Sequence, residues 1–141
     1  MAKSLPPGLP LKSCAPSIVA AIATTPATRF YDWTVFCIDS AVAELEAAGL
    51  TRDRILAVAA RADSEEEAEQ TVQTTIERFG SADILVNNAG TNPSAGPLME
   101  VDLGALDKTW SVNQRGPLLW PRATSRQWMA QHGGSVVNAA P

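Results

Sequence analysis

The sequence predicts an α/β fold built on a doubly wound parallel sheet with helices on both faces. A short continuous apolar run, of the kind expected for a strand covered on both faces, occurs at 55–60, another buried strand is read at 83–87, and a last strand at 135–139. Segments with helical periodicity and helix-end signals separate them, and strands that alternate with helices give parallel βαβ units. Of the 141 residues, 45% are hydrophobic and 18% charged, which supplies the core of one domain and excludes a disordered acidic tail.

Taken in order, residues 1–40 differ from the rest and read as an atypical N-terminal segment, with 41–141 as the folded unit. The first forty carry five of the ten prolines (Pro6, Pro7, Pro10, Pro16 and Pro26) and five charges, whereas 44–107 carries thirteen of the fifteen acids. The apolar run 17–23 imitates a signal peptide, but Pro16 and the proline-rich start spoil the pattern, which leaves an arm or a buried strand. Residues 41–48 are strong helix formers and predict a short helix, with Ser40 as its cap and Gly49 at the left-handed end position. After the strand at 55–60, Ser64 and Glu67 predict a capping box, and Glu65, Glu66 and Glu67 occupy the first turn, where the helix dipole favours negative charge. Ala68, Val72, Ile76 and Phe79 follow at helical steps, Arg78 lies in the last turn, and Gly80 ends the helix. The acidic cluster is thereby explained without a ligand.

The strand at 83–87 runs into Asn88-Ala89-Gly90 and a loop containing Pro93, Gly96 and Pro97. Asp102 predicts the cap of a helix that carries Leu103, Leu106 and Trp110 on one face, and Pro117 and Pro121 predict a break in it. Leu118, Leu119, Trp120, Trp128 and Met129 continue the apolar face to Gly133 and Gly134, ahead of the strand at 135–139.

Composition also excludes whole classes of function. The net charge is -4 and the 11 Lys and Arg are scattered, so no basic face for nucleic acid is expected. No stretch approaches the roughly 20 apolar residues that span a bilayer, so no membrane partner and a cytoplasmic location are expected. Cys14, Cys37 and the single His132 provide neither a disulfide framework nor a metal site.

Three segments in register carry a resemblance: Ile84-Leu85-Val86-Asn87-Asn88-Ala89-Gly90, then Val112-Asn113-Gln114-Arg115-Gly116-Pro117, then Gly134-Ser135-Val136-Val137-Asn138. From about residue 41 onward the chain resembles the middle of a short-chain dehydrogenase/reductase, similar to the 3-oxoacyl-carrier-protein reductase-like oxidoreductases. The resemblance implies a partial Rossmann-like sheet of strand order 3-2-1-4-5-6, lacking a proper first βα unit and the C-terminal third. It implies NAD or NADP as cofactor, a small carbonyl or alcohol substrate, and a homo-oligomer formed through the helix at 102–131. That helix would run through Pro117 as one kinked element. Asn87, Ala89 and Gly90 would lie against the cofactor, small residues letting the backbone approach a ribose. Asn113 would be the helical catalytic asparagine whose backbone carbonyl holds a relay water, and Asp63 is the displaced candidate for the acid that contacts adenine.

Departures from the family pattern are as informative. No glycine-rich T-G-x-x-x-G-x-G turn can be drawn, because the glycines fall at Gly8 and then at Gly49. Pro141 stands where the serine belongs, and the only tyrosine, Tyr31, has Val35 rather than a lysine four residues on. The chain is therefore expected to be inactive by itself, or to act only through subunit association. The composition break at 40 and the stop shortly after Asn138 lead to the expectation of a truncated or frame-disrupted member of the family. Two strands are expected between those at 55 and 84, with 17–23 and 33–38 as candidates. The sheet is expected to be distorted, with tryptophans exposed along the last helix.

Overall fold

The structure, a computed structural model, describes residues 18–23 and 31–139. The order of elements is β1 (Ile18–Ala23), α1 (Tyr31–Ala47), β2 (Ile55–Ala60), α2 (Glu65–Phe79), β3 (Ile84–Asn87), α3 (Leu103–Trp110), α4 (Gly116–Thr124), α5 (Ala130–His132) and β4 (Ser135–Asn138). β1 pairs with β2 in parallel, from Ile18 opposite Ile55 to Ala23 opposite Ala60. β3 pairs with β4 in parallel, from Ile84 opposite Ser135 to Asn87 opposite Asn138. No ladder joins the two pairs among the described residues. In the strand order implied by the resemblance, β2, β1, β3 and β4 take the third, second, fourth and fifth places. The first place, between β1 and β3, has no strand among the described residues.

α1 corrects two expectations. It starts at Tyr31, so Ser40 lies inside it and caps nothing, and 33–38 is helix rather than strand. The residues at its start are aromatic or β-branched and favour strand locally. Burial decides otherwise: Ile38 and Val42, one helical turn apart, are both buried in a helix that packs against β1 and β2. The helix crosses position 40 without interruption, and Gly49 follows it at φ +94°.

α2 begins and ends where the sequence predicts. The Ser64 hydroxyl accepts the Glu67 amide N–H at 3.3 Å, and Gly80, at φ +80°, donates its own amide to Ile76. Only half of the capping box closes, because Glu67 Oε2 accepts instead from the backbone N–H of Arg61 at 2.6 Å. The carboxylate thus ties the end of β2 to the helix that follows.

The core is formed where α2 and α4 meet the strands. Ala68, Val72 and Ile76 of α2 pack with Leu119, Trp120 and Ala123 of α4, over Val58 and Ala60 of β2 and Leu85 of β3. Because β3 alternates its side chains, Leu85 turns to this core while Ile84 and Val86 point away, 73% and 57% exposed. The strand at 83–87 was expected to be covered on both faces; among the described residues it is covered on one.

From Leu103 to His132 the chain remains helical, and the break expected at Pro117 from local sequence does not occur. Two π-helical turns, Ser111–Arg115 and Ser125–Met129, absorb the irregularity. In the first, the Gly116 amide reaches back to the Ser111 carbonyl, five residues earlier. Pro117 then falls immediately after a widened turn, where its missing N–H and its ring are tolerated. Trp110 is exposed as expected, at 68%, but Trp120 is buried and donates its indole N–H to the Ala62 carbonyl at 3.1 Å.

Candidate functional site

The carboxyl ends of β2 and β3 meet the first half of the long helix, and that helix segment organises both. At the end of β3, Asn87 donates from Nδ2 to Oδ1 of Asn138, the residue beside it on β4, at 2.8 Å. The same nitrogen lies 3.5 Å from the Pro117 carbonyl oxygen. That carbonyl is open because Pro121, four residues on, has no N–H to return to it. Asn87 is therefore held by its nitrogen, and its own oxygen makes no described contact.

Asn88, Ala89 and Gly90 follow as exposed backbone. The next residue, Thr91, is gripped by Asn113: the carboxamide oxygen accepts the Thr91 amide at 2.8 Å and the nitrogen donates to the Thr91 carbonyl at 2.9 Å. A side chain that pairs with both backbone groups of one residue mimics a strand neighbour and satisfies a loop that has no ladder. The position of Asn113 in a π-helical turn brings this group to the loop. Asn87, Ala89, Gly90 and Asn113 are thus parts of one edge.

Asp63, just past β2, lies on the same helix segment but is closed. Its Oδ2 accepts from Lys108 Nζ at 2.7 Å and from the Ser111 hydroxyl at 2.9 Å, while Oδ1 accepts from Arg61 Nε at 3.3 Å. The side chain is 6% exposed. Burial pushes its pKa up, but the hydrogen bonds from Lys108 and Ser111, with the charges of Lys108 and Arg61, outweigh this and hold it at about 2. Its carboxylate is committed within the protein, and the backbone beside it lies close against the helix. Gly116 allows this approach: a Cβ there would come within 3.0 Å of the Ala62 carbonyl oxygen.

Thr91, Lys108, Ser111 and Asn138 were not singled out from the sequence. Lys108 and Ser111 carry a readable signal, a spacing of three that sets them on one helical face. The Asn87–Asn138 pair has only the strand register. No group of three or more His, Cys, Asp or Glu side chains suited to a metal ion occurs among the described residues. Nor is any helix there long and apolar enough to cross a membrane.

A parallel α/β arrangement with a small-residue turn at the carboxyl edge of its strands is that of the nucleotide-binding folds. Comparison with known proteins specifies the family. The family described as short chain dehydrogenase matches residues 17–140, and the chain belongs to it. Over 78 residues it is 44% identical to an uncharacterized oxidoreductase of Thermotoga maritima, covering 55% of this chain and 31% of that one. Over 100 residues it is 35% identical to human dehydrogenase/reductase SDR family member 4, covering 71% of this chain and 35% of that one. It is 38% identical over 90 residues to 2-(R)-hydroxypropyl-CoM dehydrogenase of Xanthobacter autotrophicus, covering 62% and 36% of the two chains. Among solved structures, a short-chain dehydrogenase/reductase of Brucella melitensis superposes with a TM-score of 0.61 at 29% identity, over 72% of this chain and 41% of the other. The chain spans about a third of the length of these curated relatives. Its family match starts at residue 17, upstream of the composition break at 40.

Proposed function

We propose that this chain forms the nicotinamide-ribose side of the cofactor site in an NAD(P)-dependent oxidoreductase that interconverts a carbonyl and an alcohol in the cytoplasm. The observation that carries the reading is the two-sided grip of Asn113 on Thr91, which fixes the exposed Ala89 and Gly90 backbone beside the helical asparagine. The donor set suits a ribose better than an adenine. The Asn87 carboxamide oxygen has no partner among the described residues and Ala89 and Gly90 are small and exposed, whereas the Asp63 carboxylate is closed and the sequence contains no glycine-rich turn for pyrophosphate.

A bound nicotinamide would supply the hydride. This chain's own residues would do the rest at that edge: Asn87 accepts from a hydroxyl, Ala89 and Gly90 allow close approach, Asn113 presents its backbone carbonyl to a relay water, and Asp63 keeps the end of β2 against α3. The serine, tyrosine and lysine of the family's reaction have no counterpart in these 141 residues, so binding without turnover is the behaviour assigned to the chain alone. Titration with NADH and NADPH, followed by nicotinamide fluorescence, tests this. Saturable binding weakened by Gly90→Val supports it; equal binding by that variant contradicts it.

A second reading, action through subunit association, draws on one observation. Leu103, Leu106 and Trp110 form an exposed stripe on α3, with Leu103 at 72% and Trp110 at 68%. A mass by size exclusion of twice the chain's, falling to one chain for Leu106→Glu with Trp110→Arg, supports a homo-oligomer; a monomer at high concentration contradicts it.

A further inference from the structure

The opposite end of β3 and β4 carries a group that the cofactor edge does not use. His132 is the only histidine of the chain and the last residue of α5. Its ring lies 3.8 Å from that of Trp128, tilted by 11°, and its Nδ1 is 3.0 Å from the Trp128 carbonyl oxygen. The Trp128 indole N–H donates to Asp83 Oδ1 at 2.8 Å. Asp83, in turn, accepts the Ser135 amide on its backbone oxygen at 2.9 Å. Through these contacts the end of the long helix is tied to the starts of both β3 and β4. The joint is tight: a Cβ on Gly134 would come within 2.7 Å of Met129 Cγ and 2.8 Å of the Asp83 oxygen.

We propose that His132 is a proton-operated clasp, closing this joint when it gains a proton and loosening the starts of β3 and β4 when it loses one. Three forces change together with its charge. An imidazolium stacked on an indole face is attracted by the ring's quadrupole. A cation at a helix C-terminus is favoured by the unpaired carbonyls there. The Asp83 carboxylate, hydrogen-bonded by Ser81 and Trp128, is the titratable group set against His132 among the described residues. The segment that packs against α5 contributes Trp128, and the lead-in to β4 contributes the uncharged Ser135.

Indole emission tests the proposal directly, because an imidazolium quenches a stacked tryptophan more strongly than a neutral imidazole does. The whole chain is followed from about pH 8 to pH 5 together with His132→Gln and Trp128→Phe, while amide exchange at Ser135, corrected for intrinsic rates, reports the joint. The expected result is a single fall in emission on acidification that both variants lose, with Ser135 better protected at the acid end in the native chain only. A flat native profile, a fall that persists in either variant, or Ser135 protection that does not change with pH would each overturn it.

Discussion

The carboxamide of Asn113 holds the backbone of Thr91 from both sides, accepting its N–H at 2.8 Å and donating to its carbonyl at 2.9 Å. This contact decides where the turn after β3 lies relative to the long helix. Asn113→Ala strands two backbone groups and is expected to cost about 1–3 kcal/mol, with the Thr91 amide losing protection from exchange. Asn113→Asp keeps the acceptor but turns the donor into a second oxygen facing the Thr91 carbonyl, so it is expected to be no milder. Urea midpoints of the two variants, with Thr91 exchange, check this.

Asp63 gives the fold an acid dependence with a defined sign. Its folded pKa, about 2, lies below the ordinary 3.8. The stability it contributes is therefore present above about pH 4 and lost as pH falls toward 2. Asp53 and Asp83 are lowered too, through hydrogen bonds first from Thr51 and Ser81 respectively, and add in the same direction. Comparison with Asp63→Asn isolates the first contribution: the native chain is expected to lose more stability between pH 6 and pH 3 than the variant does, measured by urea unfolding at each pH.

Gly134, ahead of β4, and Gly104, within α3, differ in what they tolerate. At Gly134 an added Cβ meets both Met129 and the backbone oxygen of Asp83 below 3.0 Å, so Gly134→Ala is expected to destabilise by about 1–3 kcal/mol. At Gly104, within α3, the nearest atom is Asp102 Oδ1 at 3.1 Å, an oxygen that already accepts the Ala105 amide at 2.8 Å as the helix cap. Gly104→Ala gains up to about 1 kcal/mol of helix propensity but disturbs that cap, so it is expected to change stability less than Gly134→Ala does. Thermal melts of the two variants check this order.

Pro121→Ala tests the link between a helix irregularity and the site. It returns an N–H to the Pro117 carbonyl and is expected to raise the melting temperature. That new bond competes with Asn87 Nδ2, now 3.5 Å from the same oxygen. A chemical-shift change at the Asn87 side-chain amide is expected, with none at Thr91, on the far side of the clamp.

Much of the fold is legible locally because local signals and burial agree. β2 and α2 are bounded by an apolar run, a serine cap and a left-handed glycine, and each does in the structure what it does in isolation. Over 33–38 the local preference is for strand, and the burial of Ile38 and Val42 in a helix packed on β1 and β2 overrides it. At the candidate site, a sequence pattern rather than contacts points to Asn87, Ala89, Gly90 and Asn113. Their partners stayed hidden because pairing over 22, 45 or 51 residues depends on the assembled sheet. Asp63 shows the limit of position alone: the sequence identifies an acid at the end of a strand, but the structure reveals that Lys108 and Ser111 already hold its carboxylate.

Binding of reduced nicotinamide mononucleotide, compared with NADH on the same chain, isolates the ribose edge, because the mononucleotide carries the nicotinamide and ribose without the adenosine half. The proposed edge, with Asn87, Ala89 and Gly90 toward a ribose and the Asp63 carboxylate closed, predicts similar affinity for the two, lowered together by Gly90→Val. Binding of NADH with no measurable binding of the mononucleotide would contradict the account.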